Sequence, residues 1–548
     1  MPKDYIWDNF HLGLRNRLAA DRIGKGALQT ALNAVVRDGK AVAIDQAVLS
    51  TDAVNTTQSI YDPIIGSILG FIEVTNLGAT WAEFNGIIYV AARSYPGGGA
   101  TLPRASKSVD GTNWYNIGIA PPSVAPTVGA LSGGAVTCTD ESYVYTYYSS
   151  TFSHESGPSA LSAATVTMAA QQCAVGVTAN ATSGDNVSNI YLYRSRTSGG
   201  SNIYYKVGSN NNSTGNIADN TDWTSDLTAL PTLYNDTFPS ATGLTGPYNG
   251  ALFFWAGTRL YPSNNSQFNA VMTDVYWDFP SSVVAARAMT GVGVLVLTYH
   301  GVYLLSGDTP ERMSYQLLSD TTDIACPGAV CKTDFGMAWV SNYGLELFNG
   351  STITRLSTPL LSKSWIATNI VADAANVVMG YTDRQIVIFT PSISKAVVFD
   401  LTNWPEVIVT QTDLAMNTTG LGVHQGPSGL YFLREDSSDR KIYQWAQSGG
   451  TQQTMTIQTD EITASKQGAN LQPRRGLIDY SGGPFTITTY ANNTAIDTTV
   501  APISAERGDP YVFELASTWA HRYSMKAVGK GTIHRLGLIG VDETDGWK

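Results

Sequence analysis

The chain has 548 residues, 43% hydrophobic and only 14% charged, with 33 basic against 44 acidic residues and a formal net charge of −11. That hydrophobic content excludes wholesale disorder, and the length exceeds the roughly 250–300 residues at which a single core stops growing. The acidic balance speaks against a dedicated nucleic-acid grip, which needs a basic face to neutralise phosphates. It fits a surface that duplex DNA passes without sticking, and fits an ordinary acidic soluble protein equally well.

Residues 1–50 differ from the rest of the chain. Tyr5, Ile6, Trp7 and Phe10 place apolar surface at the start, and Arg15, Arg17, Arg22, Lys25 and Arg37 put basic charge into an otherwise acidic protein. Apolar residues at helical spacing predict a short helix over Ala27–Val36, which Asp38-Gly39 can stop. So much apolar surface is unusual on a free tail. The segment therefore reads as an N-terminal arm whose Tyr5, Trp7, Phe10, Arg15, Arg17 and Arg22 form an assembly interface, and the plainer reading is a terminal helix packed on its own domain.

From residue 51 to 120 short strands alternate with tight turns. Asn85-Gly86 reads as a hairpin turn ahead of the strand Ile87–Val90, because both turn residues tolerate positive φ. Pro121, Pro122 and Pro126 mark a linker. Short strands such as Tyr143–Tyr148, Ala164–Met168, Ile190–Arg194 and Ile203–Val207 then predict a β-sandwich of fibronectin type III-like character over residues 121–238. The hairpin pattern resumes over 239–450, with turns at Asn249-Gly250 and Asn349-Gly350, so the sandwich reads as an insertion. A sheet of about four strands cannot bury both faces alone, and stacking such sheets around an axis does so. The fold expected is all-β: a β-propeller of six or seven blades, with the inserted sandwich, the N-terminal arm and a β-rich region over 451–548 that is either a C-terminal domain or a closing blade. Arg474-Arg475 reads as a surface ion-pairing spot.

Two resemblances rest on particular residues. Ser108–Trp114 resembles the Asp-box hairpin of sialidase-type propellers, in which Asp110 would accept backbone N–H bonds and Trp114 would pack beneath the blade; that role is structural. The Asn249-Gly250 turn with its aromatic strand, then Tyr261-Pro262-Ser263-Asn264 and Leu304–Pro310, resembles the tail nozzle, tail tubular or packaged-DNA stabilisation proteins of short-tailed bacteriophages. The arm over 14–40 and the segment from Pro121 to Pro239 are also similar. This resemblance implies a structural subunit of the virion tail, assembled in the host cytoplasm. It implies a homohexameric ring below the portal and its adaptor, with a tail fibre or spike as neighbour. Double-stranded DNA would be retained by that ring, and would pass through its lumen without sequence-specific binding.

Signals of chemistry are sparse. The chain carries no phosphate-cradling glycine loop, no H-E-x-x-H and no G-x-S-x-G elbow. Its six histidines lack metal-ligand spacing, so neither metal nor cofactor is expected. Four cysteines are no disulfide framework; Cys326 and Cys331 could close a small loop, but free thiols are expected. No apolar run approaches the roughly 20 residues that span a bilayer, and no secretory leader is visible. Two alternatives stand beside the structural subunit. One is a propeller glycosidase acting on host surface polysaccharide, for which Glu346, Asp373, Asp383, Glu435 and Asp436 are candidate carboxylates and Arg259, Arg287 and Arg384 candidate anion ligands. The other is a non-catalytic glycan-binding adhesin or fibre. The reading preferred on sequence is no enzyme.

Overall fold

The computed structural model describes residues 3–7, 13–14, 27–32, 34–37, 40–43, 48–53, 59–62, 67–71, 80–84, 86–91, 105–109, 113, 115–198, 201–222, 228–231, 241–265, 267–358, 360–390, 393–413, 423–426, 429–436, 439–445, 453–459, 461–465, 469–503 and 510–544. The chain is all-β and is built as a β-propeller. Among the described residues a single α-helix occurs, Lys363–Asn369, capped by the Ser362 hydroxyl, which accepts from the Trp365 N–H. No helix there is long and apolar enough to cross a membrane.

Among the described residues six sets of strands have the form of blades. The first holds Thr80–Phe84, Ile87–Ala91, Ala105–Ser108 and Tyr115–Asn116; the second begins at Gly243–Tyr248 and runs through Gln267–Val271. The third spans Val283–Met289 to Ser314–Ser319, the fourth Val330–Thr333 to Ile353–Arg355, and the fifth Val378–Thr382 to Ile408–Asp413. The sixth takes Val423–Gly426, Gly429–Asp436 and Asp439–Gln444, and its fourth strand is Val48–Ala53 from the other end of the chain. A two-stranded sheet, Ser59–Asp62 with Ser67–Phe71, lies next to it.

Most neighbouring blades meet through their leading strands. Thr80–Phe84 lies against Gly243–Tyr248, which lies against Val283–Met289; that strand meets Gly336–Ser341 of the fourth blade, whose Val330–Thr333 lies against Val378–Thr382, and the series continues through Val423–Gly426 to Ser59–Asp62. The burial between them explains the ring. Tyr89 and Phe254 pack between blades one and two, Trp255 and Tyr303 between two and three, Leu297 and Trp339 between three and four, and Phe389 and Phe432 between five and six. Each such side chain contributes roughly 1.5–3 kcal/mol on leaving water, and no blade alone could bury both faces.

The hairpins turn where the backbone can adopt positive φ. Asn249 and Gly250 have φ of 46° and 77°, and a Cβ on Gly250 would overlap the Asn265 side chain. Gly86 has φ 73° and Gly350 φ 100°, and the Asn349 carboxamide oxygen accepts from the Ser351 and Thr352 N–H groups. Asn85, Asp110 and Trp114 lie outside the described residues.

Between the first and second blades the chain builds a sandwich. One sheet holds Thr127–Glu141, Val166–Val177 and Gly215–Asp219; the other holds Tyr143–Ser149, His154–Glu155, Asn189–Ser198 and Ser201–Asn211. Its core contains Tyr143, Tyr145, Val175 and Leu192, all buried. At its centre Arg194 is fully buried, with Nη1 2.5 Å from Asp219 and Nε 2.9 Å from Glu141.

The C-terminal region forms a large sheet dominated by Arg475–Ala491 and the 22-residue strand Arg522–Glu543, continuous with the fifth blade where Leu32 pairs with Gln411. The N-terminal segment is woven into it. Lys3–Trp7 pairs with the long last strand, Trp7 opposite Leu536, and Ala27–Leu32 pairs with Met455–Thr459. Two expectations are corrected here. Ala27–Leu32 and Ala34–Arg37 are strands, not a helix: short apolar runs do not distinguish the two, and the open edges of neighbouring sheets decide. The beginning of the arm does not reach outward either. Trp7 is only 3% exposed, inside the core formed by blades four and five and the C-terminal sheet, with Tyr5 packed against it. Phe10, Arg15, Arg17 and Arg22 lie outside the described residues. Arg474 and Arg475 pair at the surface with Asp542 and Glu514, at 2.8 and 2.7 Å.

Candidate functional site

A cleft of about 480 Å³ opens between the third and fourth blades. One wall is the end of the third blade's last strand, Leu318 and Ser319, with Thr322 just beyond it. The other is Glu346, Phe348, Ile353 and Arg355 of the fourth blade, with Ser351 and Thr352 at the tip of their hairpin. The hairpin sets the geometry. Asn349 fixes the turn, so Phe348 faces Ile353, Leu347 faces Thr354, and Glu346 comes directly opposite Arg355.

Glu346 is almost completely buried. Arg355 Nε donates to its Oε1 at 2.6 Å, and the Ser341 hydroxyl lies 2.9 Å from the same oxygen. A buried carboxylate needs this much, because desolvation without a partner would neutralise it. Arg355 is steadied from outside by the Tyr343 ring, 5.2 Å from the guanidinium, which also carries the Lys363 ammonium at 4.1 Å. Thr322 is 8% exposed; its carbonyl accepts from the Trp339 indole at 3.0 Å, but its hydroxyl has no hydrogen-bond partner among the described residues.

The other residues singled out on sequence are dispersed. Asp373 accepts from Asn376 in the connection between blades four and five, and Asp383 and Arg384 form a turn of the fifth blade at φ 45° and 61°. Arg259 pairs with Asp278 at 3.4 Å on the surface of the second blade. Arg287 donates to the Ala286 carbonyl, and burial pulls its guanidinium down to about 10. The Glu435 and Asp436 side chains lie outside the described residues. Of all these candidates the cleft receives Glu346 alone, as its single carboxylate among the described lining residues. Arg355 and Thr322 were not singled out on sequence, although the hairpin register already sets Glu346 opposite Arg355.

A second polar cluster is enclosed where blade one, blade two and the sandwich meet. The Lys107 ammonium nitrogen lies 2.6 Å from the Ile117 carbonyl, 3.1 Å from Asn269 Oδ1 and 3.0 Å from His154 Nε2, with the Phe152 ring 4.4 Å away. Burial pulls Lys107 well below its ordinary range, Asp185 opposing it, and takes His154 down to about 2, assisted by the neighbouring Lys107 charge. The amine's partners are all internal, which is the arrangement of a structural peg. Cys326 and Cys331 are free and buried, their thiols pushed up to about 12 by that burial. No group of metal-ligating side chains is found among the described residues.

No protein-family model matches the chain, and no curated protein does. Solved structures that it is similar to include an exo-β-1,3-galactanase from Phanerochaete chrysosporium with galactose, at 8% identity, covering 90% of this chain and 100% of that one with a TM-score of 0.19. A Trypanosoma rangeli sialidase mutant displaying trans-sialidase activity is similar at 10% identity, 91% and 97% coverage and a TM-score of 0.24. A nidogen/laminin complex is similar at 7% identity over 50% of this chain and 97% of that one, with a TM-score of 0.21. At such TM-scores these likenesses carry no argument about mechanism. The sequence expectation of no enzyme finds no support among them, since a galactanase and a sialidase mutant are included, and no activity passes from either to this chain.

Proposed function

We propose that the chain is a wall-forming subunit of a short phage tail: one copy in a ring, six-fold by resemblance, that sits below a portal adaptor, retains packaged DNA and lets it leave through the lumen. The observation that supports this most is how the chain ends are held. Val48–Ala53 completes the sixth blade, so the hoop of sheets is fastened by a strand nearly 400 residues from its partners, and Lys3–Trp7 and Ala27–Leu32 lock into the C-terminal sheet. Opening such a hoop breaks a whole ladder at once, which suits a wall under load. The net charge of −11 disfavours adhesion of the phosphate backbone. Mass measurement of the purified chain with and without its adaptor tests the reading. Closed rings that bind the adaptor are expected; a chain that remains monomeric with the adaptor present overturns it.

The cleft favours a second reading, in which the chain recognises carbohydrate. A carboxylate, a guanidinium and several hydroxyls converge on one concavity of about 480 Å³, within the size range of small-ligand sites. Binding of the full chain to an array of neutral and acidic glycans tests it, and failure to retain any glycan removes it.

A further inference from the structure

We infer that the open edge of the sandwich, along Thr127–Glu141, is where a second copy of this chain docks by adding a strand; this rests on the ring reading above and deepens it. Three observations carry it. First, the sandwich closes its other edges and leaves this one bare. Beside Tyr143–Ser149, the N–H groups of Ser156, Ser159 and Ser162 donate to the carbonyls of Tyr147, Tyr145 and Tyr143, each at 2.9 Å. The hydroxyl of each serine accepts in return from the N–H of the same tyrosine, at 3.0 or 3.1 Å. Ser201–Asn211 is covered by residues 228–230, which bond to the backbone of Tyr204 and Lys206, and Gly215–Asp219 is only five residues long. Thr127–Glu141 has 15 residues and, among the described residues, pairs on one side alone, with Val166–Val177. An unpaired edge presents a row of N–H and C=O groups to any extended chain.

Second, this edge lacks the features that keep strands apart. From Thr127 to Thr139, and throughout Val166–Val177, there is no charged side chain and no proline, in a chain that is 14% charged. The stretch from Gly129 to Gly133 is exposed. At Gly133 a Cβ would meet none of the described residues within 4 Å, and the φ lies outside the left-handed region, so nothing internal requires glycine there. A bare backbone at that point suits close approach by another backbone. Register shifts after Val128 and after Gly133 bound the regular segment, so the added strand is short.

Third, charge selects the occupant. The chain carries −11, so copies repel wherever their acidic surfaces face each other, and a neutral edge is where they can meet without opposing like charges. The same neutrality offers a phosphate backbone nothing to pair with. A closed ring makes heterologous contacts, so the added strand comes from a different element of the next copy.

Hydrogen exchange and sedimentation velocity of the full chain, alone over a concentration series and with the portal adaptor, test this. Assembly should raise amide protection over Gly129–Gly133 by about tenfold or more, and dilution should reverse it. Ala130→Lys combined with Leu131→Lys puts two like charges on the exposed edge. It should leave the thermal midpoint unchanged and weaken assembly by about tenfold or more. Assembly with unchanged protection over Gly129–Gly133, or assembly that the double substitution leaves intact, overturns this inference and leaves the ring reading in place. A chain that stays monomeric throughout overturns both.

Discussion

Acid should loosen the sandwich from the propeller, and His154 sets the size of the effect. The imidazole is 5% exposed, sits over the Lys107 amine, and has its pKa lowered from 6.5 to about 2. The sign depends on which state takes up the proton first. In the opened state His154 protonates near 6.5; in the closed state it stays neutral far below that. Its contribution to closure is therefore fully present above 6.5 and is lost as pH falls from 6.5 toward 2. At about pH 4.5 the loss is two pH units at 1.36 kcal/mol each, about 2.7 kcal/mol, or about 100-fold in the opening equilibrium. Hydrogen exchange of peptides over residues 143–159, corrected for intrinsic rates, reads that equilibrium locally, where a global transition in so large a chain would not. His154→Leu should remove about one proton from the slope between pH 6.5 and 4.5. Glu155, whose carboxyl is raised by burial, titrates in both proteins and cancels from the comparison, and Asp185 acts on Lys107 in both. Equal slopes in the two proteins would refute the account.

Burial at two other sites sets two more outcomes. Trp7→Ala removes a 3%-exposed side chain from the core beneath the C-terminal sheet and should cost about 3–5 kcal/mol of local stability, seen as faster amide exchange around its ladder partner Leu536; unchanged exchange would show that the first strand is not a tie. Asp219→Ala leaves Arg194 buried with Glu141 as its remaining recorded carboxylate and should cost about 3–5 kcal/mol, lowering the urea midpoint of the sandwich, whereas Asp219→Asn, which keeps an acceptor, should cost less.

The blade pattern is legible in the sequence because its signal is local. Asn249-Gly250 and Asn349-Gly350 each fix a hairpin, and the alternation around them fixes which faces are buried. Glu346 opposite Arg355 is legible for the same reason, since once Asn349-Gly350 turns the chain, counting outward along the two strands pairs them. The other wall of the cleft is not legible, because Leu318 and Thr322 belong to another blade and their approach depends on how blades stack. Ala27–Leu32 is misread as a helix because its apolar spacing suits either structure, and the deciding partner, Met455–Thr459, lies more than 400 residues away. Lys107, His154 and Asn269 each look like a surface residue in its own segment; only the junction of three elements makes them one buried cluster.

The two polar clusters differ in how completely their hydrogen bonds are met. At the junction, Lys107 meets a carbonyl, an amide oxygen and an imidazole, all supplied by the chain, so its desolvation is offset internally and nothing is left for a ligand. At the cleft the ion pair is satisfied but the buried hydroxyl of the neighbouring Thr322 has no partner among the described residues. Burial alone would not distinguish the two, since Lys107 and Glu346 are equally enclosed. Completeness of hydrogen bonding does: Thr322→Val removes a hydroxyl without a partner and should leave stability unchanged or higher, whereas Asn269→Leu takes an acceptor from the buried Lys107 amine and should lower it.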